Sequence, residues 1–396
     1  MLNPDKKFNR LQVGLSAGSH FVTDIYQSAY IGLIPFLTVK FDLSLFQVSL
    51  LAASTIIANS LFSPVFGMLS DRHGLKYYLI AGPLLTSVFL SFLGVLPDFY
   101  LILLFLFIGN LGIAAYHPAS AAVAGHYGGG RKGLSSSLIN FGGNLGSAFG
   151  SLIVILILEK AGIEYTPLIL IPGIITSLVL LKYAPKNNII SSSGKSFNIF
   201  RSIKRLNRAN LYMLFIILFI IYTVYIIWIT AINYMPLYYT DKNMSLINIG
   251  NILLLFGALG GAAGLLSGYL YDHYKKGYLI IQAGLIASIP LFFFTFKTEG
   301  ILSTALFIIA GLFLISVQPV CIRMAQDLLP SNMSLASSLI LGLSPGLAGI
   351  TIIFLGKAAD KIGIAALIKY ELLGLVLSLI ILFIFPTMEK RLKKIN

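Results

Sequence analysis

The chain has 396 residues, of which 57% are hydrophobic and only 11% charged, with a mean hydropathy of +0.89. Soluble domains carry about 25% charged residues, so a soluble globular fold is excluded. The net charge of +14 is set by topology rather than by a nucleic-acid partner, and the single cysteine, Cys321, rules out an intrachain disulfide or a cysteine metal cluster.

Apolar runs of about 20 residues, each long enough to cross a bilayer as a helix, recur along the chain. Twelve are predicted, at 11–39, 44–69, 76–97, 99–124, 133–158, 165–184, 211–239, 246–270, 277–297, 300–325, 333–357 and 364–386. They are continuously apolar, as in "LILLFLFIGNLGIAAY", rather than alternating like barrel strands. The first run is too long for a cleavable signal and is expected to act as the insertion signal itself.

Basic residues divide unevenly between the two sides these runs imply. Lys6, Lys7, Arg10, Arg72, Lys76, Arg131, Lys132, the basic stretch from Lys182 to Arg208, Lys275, Lys276, Arg323, Lys390, Arg391, Lys393 and Lys394 fall on the side of the N-terminus. The opposite side holds Lys40, Lys160, Lys242, Lys297, Lys357 and Lys361. By the positive-inside rule both termini are expected in the cytoplasm of a prokaryotic cell, in its inner membrane.

Within the first run, "GSHFVTDIY" places His20 and Asp24 one helical turn apart on one face, which Tyr26, Gln27 and Tyr30 widen. An ionisable residue inside a span faces the bundle interior or a wet cavity and marks a candidate site. A carboxylate there is read as a group that gains and loses a proton; the alternative is a buried hydrogen bond to a neighbouring helix. In the fourth run His117 stands between Tyr116 and Pro118, and the proline frees a backbone carbonyl. Asn140 and Asn144 in the fifth run suit cavity lining or helix adhesion equally. Tyr222, Tyr225, Trp228 and Asn233 lie along the seventh run from mid-span onward and suit cavity lining and interfacial anchoring equally. Arg323, in the tenth, suits an anionic substrate or a pair with Asp327. The glycines of "GGNLGSAFG" and "GALGGAAGLLSG" permit close helix approach.

The sequence also repeats. His117-Pro118 stands 201 residues before Gln318-Pro319, "LSSSL" at 134–138 before "LASSL" at 335–339, and "GMLSD" at 67–71 before "GYLYD" at 268–272, at the same spacing. Asp71 precedes Glu159 by 88 residues, as Asp272 precedes Asp360. The expected fold is therefore all-α and integral to the membrane: twelve spans in two pseudo-symmetric six-helix bundles, 1–184 and 210–396, each built of inverted three-helix repeats and joined by a cytoplasmic loop, 185–209.

"GMLSDRHGLK" resembles the loop motif of the major facilitator superfamily through Gly67, Asp71, Arg72, Gly74 and Lys76, with a degenerate copy at Gly268, Asp272 and Lys276. That resemblance implies that Asp71, Arg72, Lys76 and Asp272 form a latch holding one conformation. "SHFVTDIYQSAYIGLIP", "AAYHPASAAVAGHYGGGRKGLSSSLINFGGNLGSAFG" and "AQDLLPSNMSLASSLILGL" are similar to the fosmidomycin-resistance type of drug exporter, implying proton-driven export. His20, Asp24, Tyr26, Gln27, Tyr116, His117, Asn140, Asn144, Tyr222, Tyr225, Trp228, Gln318 and Arg323 are then the candidate proton-coupling and substrate residues. The expected partners are a small-molecule substrate, protons and the lipid bilayer, with no nucleic acid and no cofactor, and the chain is expected to be a monomer. Uptake of a small anion or nutrient is the main alternative. An intramembrane metalloenzyme using His20, Asp24 and His117 is a remote one.

Overall fold

A computed structural model describes residues 8–185, 208–329 and 333–393. Most of the expected central loop lies outside the described residues. All twelve apolar runs are helical: α1 Arg10–Phe41, α2 Leu45–His73, α3 Leu75–Leu90, α4 Phe99–Tyr127, α5 Lys132–Lys160 and α6 Leu170–Tyr183, then α7 Arg208–Asp241, α8 Leu246–Tyr274, α9 Gly277–Thr295, α10 Gly300–Ile315 with α11 Val317–Leu328, α12 Met333–Ser338 with α13 Ser344–Ile362, and α14 Ile364–Lys393. Ten helical segments among the described residues are long and apolar enough to cross a membrane. The first and third runs fall outside that group for different reasons. α1 has the length but carries Ser16, Ser19, His20, Thr23, Asp24 and Ser28, all buried, whereas α3 is apolar but has only 16 residues.

Local chemistry sets the helix ends. Asn9 caps α1 by accepting from Gln12 N at 3.1 Å, and Ser44 and Gln47 form a reciprocal capping box on α2. Asp98 accepts from Tyr100 N and Leu101 N at the start of α4.

The 201-residue spacing is visible in the backbone. α2 and α8 match end for end, as do α4 and the α10–α11 pair. The left-handed residues match too: Asp42 at φ 50° with Asn243 at 59°, Gly74 at 99° with Lys275 at 54°, and Gly162 at 107° with Gly363 at 80°. Gly74 and Gly162 are themselves 88 residues apart, as are Lys275 and Gly363, so all four copies of the helix–helix turn share one backbone reversal.

The repeat is not perfect. The tenth expected span is two helices that meet at Ser316, and the eleventh contains a π-helical turn, Leu339–Leu343. Pro319 removes the N–H that would bond back to Ile315 O, and Ser267 Oγ donates to the neighbouring carbonyl, Ser316 O, at 2.7 Å. In α4, where Pro118 stands at the matching position, Ser63 Oγ donates to Ala114 O at 3.3 Å and the helix stays continuous.

The described chain divides into two compact units, Met1–Gly194 with Tyr239–Leu254, and Lys195–Tyr238 with Leu255–Asn396. In the first, α1 lies along α5 over nearly its whole length. A Cβ at Gly142, Gly146 or Gly150 would collide with the carbonyls of Ala17, Phe21 and Ile25, so only glycine allows this approach.

Candidate functional site

The α1–α5 seam and α4 bring together three ionisable residues of the first unit, His20, Asp24 and His117. His117 Nε2 lies 3.0 Å from Asp24 Oδ1, and His20 Nε2 lies 3.3 Å from Asp24 Oδ2. Each imidazole thus takes one carboxylate oxygen. His20 and Asp24 are buried, while the His117 side chain keeps 32% of its surface exposed and forms the open side of the triad. The two imidazole rings are 5.0 Å apart, centroid to centroid.

The hydrogen-bond partners dictate where hydrogens lie. His20 Nδ1 is 2.9 Å from Ile139 O. A carbonyl oxygen only accepts, so Nδ1 carries a hydrogen. Nε2 then carries a second one, with Asp24 ionised, or is bare and faces a protonated Oδ2, or is bare beside an ionised Asp24 that His117 Nε2 holds at 3.0 Å. The first two arrangements place one dissociable proton between His20 and Asp24. The three donor atoms lie within 4.8 Å of one another, and the carboxylate is already satisfied by both rings.

Neighbouring groups hold this geometry. Tyr116 OH is 2.5 Å from Ser19 Oγ and donates to Ser16 O at 2.8 Å, with its ring 5.6 Å from that of His20. A Cβ at Gly143 would stand 2.7 Å from both Asp24 Oδ2 and His20 Nε2, so glycine at 143 leaves the space these two groups occupy.

Other candidates sit elsewhere. Tyr26, expected on the same polar face, is buried and turned toward the start of α6: its hydroxyl donates to Ile169 O at 2.5 Å and accepts from Gly173 N at 2.9 Å. It ties helices together, as does Tyr116, which belongs to the apolar core with Val13, Leu75 and Leu79. Gln27 is half-buried on α1. Asn140 and Asn144 are exposed and hydrogen-bond to no other described residue, so they line an open face of α5 rather than bind helices together.

In the second unit, Gln318 Nε2 donates to Tyr225 OH at 2.7 Å, and Trp228 packs edge-on to Tyr225 with centroids 6.2 Å apart. Asp24 and His117, moved by 201 residues, fall on Tyr225 and Gln318. The same interhelical contact is therefore ionisable in one half of the sequence and neutral in the other. Tyr222 OH lies 2.8 Å from Thr351 Oγ1, bridging α7 and α13. Arg323 reaches Asp272 Oδ1 at 3.2 Å and Gln326 Oε1 at 3.0 Å. The expected alternative partner, Asp327, accepts from Tyr271 OH instead. The helix geometry explains the difference: Asp272, at the end of α8, meets Arg323 directly. Asp71 and Arg72 are exposed and form no ion pair among the described residues. Gly67 lies against Pro118 as Gly268 lies against Pro319, Gly74 makes the turn between α2 and α3, and Lys76 is half-buried on α3.

Sequence reading missed two participants. Gly143 carries no chemistry of its own and shows its role only in three dimensions. Glu371 was visible as the acid inside the last apolar run, "LIKYELLGL"; it is described below.

A duplicated, apolar helical fold with one charged triad inside it defines a multi-pass membrane transporter. The chain belongs to the Major Facilitator Superfamily, whose profile matches residues 17–340. It is 26% identical over 366 residues to the fosmidomycin resistance protein of Escherichia coli (strain K12), covering 90% of this chain and 88% of that one. It is also 30% identical over 386 residues to the MFS-type transporter YfnC of Bacillus subtilis (strain 168), covering 94% and 91%. Among solved structures, the nucleoside transporter NupG superposes with a TM-score of 0.76 at 13% identity, covering 96% of this chain and 99% of that one. A bacterial homologue of the lysosomal transporter Spinster, in an inward-facing, occupied conformation, gives 0.71 at 14% identity, covering 96% of each chain. This membership sets aside the metalloenzyme alternative.

Proposed function

We propose that the chain is a proton-coupled secondary transporter of the cytoplasmic membrane that exports a small organic compound by alternating access between two six-helix halves, 1–184 and 210–396. The observation that carries this reading is the geometry at His20: with Nδ1 committed to Ile139 O, Nε2 is left facing Asp24 Oδ2 at 3.3 Å, a pair able to hold one exchangeable proton. His117, half-exposed, is the member of the triad that a substrate or water can reach. Drawing His117 away strips Asp24 of one charge-assisted hydrogen bond, worth about 1.5–3 kcal/mol. The carboxylate then holds its proton more tightly. Restoring His117 reverses the exchange, which links proton uptake and release to conformation.

Tyr225, Gln318 and Trp228 form the neutral, aromatic counterpart in the second half and are assigned to substrate contact. Asp71, Arg72 and Lys76, with Arg323 and Asp272, are assigned to the latch at the cytoplasmic ends of the helices. The resistance protein named above supports a drug-like substrate; export rests on the resemblance of the motifs to the drug exporters.

The test is accumulation of a panel of small organic anions, fosmidomycin among them, in an efflux-deficient bacterium expressing the protein. Export predicts lowered accumulation of at least one compound, abolished by a protonophore. Raised accumulation would indicate uptake, and lowered accumulation that survives the protonophore would contradict proton coupling.

A further inference from the structure

The second unit holds an acid, half-buried as a residue, that the triad does not involve. Glu371 lies two turns into α14. Its Oε1 accepts from Thr230 Oγ1 of α7 at 2.8 Å, and its Oε2 is buried with no hydrogen-bond partner among the described residues. Thr230 is fully buried.

Among the described residues no ion pair reaches this carboxyl group. α9, which packs against α14, has no Asp, Glu, Lys, Arg or His between Gly277 and Thr295; its one titratable side chain is Tyr278. The charges of α13 are Lys357, Asp360 and Lys361, in its last two turns. Those of α7 are Arg208 and Asp241, at its ends. On α14 itself, Lys369 lies over the Phe293 ring, 5.9 Å from its centroid. A carboxylate buried without a counter-charge takes up a proton rather than stay ionised.

The repeat places no acid at the matching position of the first half, where Tyr26 ties α1 to α6 instead. Shifted by 201 residues, Thr230 and Glu371 fall on Ala29 and Leu170, and the first half is built with that apolar pair. Thr223 and Ser378, 2.9 Å apart, supply a separate polar tie between α7 and α14. An acid inside a span, kept where its counterpart is leucine, is a functional group by default.

We propose that Glu371 is a second proton-binding site, loaded and emptied once per cycle, so that the transporter moves one proton more than the triad alone carries. The inference adds to the proton-driven reading above and stands on different residues.

Two measurements on the purified protein in liposomes test it. Infrared difference spectroscopy across a pH titration, which needs no transport, should show a carboxylic-acid carbonyl band that is retained in Asp24→Asn and lost in Glu371→Gln. Glutamine mimics the neutral acid and preserves the fold. The ratio of protons to substrate, read from paired flux measurements, should fall by one in Glu371→Gln while transport continues. A spectrum unchanged by Glu371→Gln would overturn the proposal, as would an unchanged ratio, which would make Glu371 a permanently neutral structural acid. Absence of any proton flux in the wild type, with the Glu371 band present, would contradict the coupling reading and the cycling of Glu371 while leaving a protonated acid in place.

Discussion

At the level of single residues, the question is why a carboxylate stays inside a membrane helix. Placing one there costs roughly 2.5–3.5 kcal/mol on insertion scales. The two hydrogen bonds to His20 and His117, at about 1.5–3 kcal/mol each, offset that cost only while both rings are in place. His117→Ala is therefore expected to leave the protein folded but to reduce proton-driven transport at least tenfold, checked by initial rates in vesicles under an imposed pH gradient. Gly143→Ala tests the packing behind the triad. The new methyl group would stand 2.7 Å from Asp24 Oδ2 and His20 Nε2, so a cost of about 1–3 kcal/mol is expected, with loss of transport before loss of fold. Thermal melting and transport of the same preparation separate these effects. Tyr116→Phe removes one hydroxyl bridging Ser19 and Ser16 O; a drop of about 1–2 kcal/mol in stability is expected, read as a lower Tm.

At the level of elements, α1 and α5 behave as one packed pair. Glycines meet backbone carbonyls along that seam, so a side chain at Gly146 has nowhere to go. Gly146→Leu is expected to prevent accumulation of monodisperse protein, whereas Gly67→Ala, whose Cβ would stand 3.4 Å from Pro118, fits sterically. Size-exclusion profiles of the two variants make the comparison. Much of this level was legible beforehand, because apolar runs, capping residues and the Gly-rich stretches are one-dimensional signals. All twelve runs became helices, and the interruption at Ser316 lies where Pro319 removes a backbone donor. What sequence could not supply was direction. Tyr26 follows Asp24 by two residues, which on a helix turns it about 200° away and aims it at α6 rather than at the triad. Asp24 and His117 were each recognisable as ionisable groups in a span, but their contact depends on the depth at which α1 and α4 cross, which no local pattern encodes.

At the level of the whole molecule, one fold is used twice with different chemistry. Left-handed turns at Gly74, Gly162, Lys275 and Gly363 keep the fourfold backbone plan, while the side chains depart from it at Asp24–His117 and at Thr230–Glu371. Those departures put ionisable groups where the other half has neutral ones. The Arg323–Asp272 pair belongs to the second half alone, since Arg323 falls on Ala122 in the repeat, and an ion pair this exposed is worth about 0–1 kcal/mol. Asp272→Asn should therefore barely change the Tm but alter the transport rate if the pair acts as a latch. The central claim, that Asp24 carries the coupling proton, is tested most directly by proton flux into liposomes loaded with a pH-sensitive dye under an imposed substrate gradient. Flux that follows the gradient in the wild type and vanishes in Asp24→Asn, while substrate counterflow persists, is the expected result. Equal proton flux in the wild type and in Asp24→Asn would contradict the claim and leave Asp24 a structural residue.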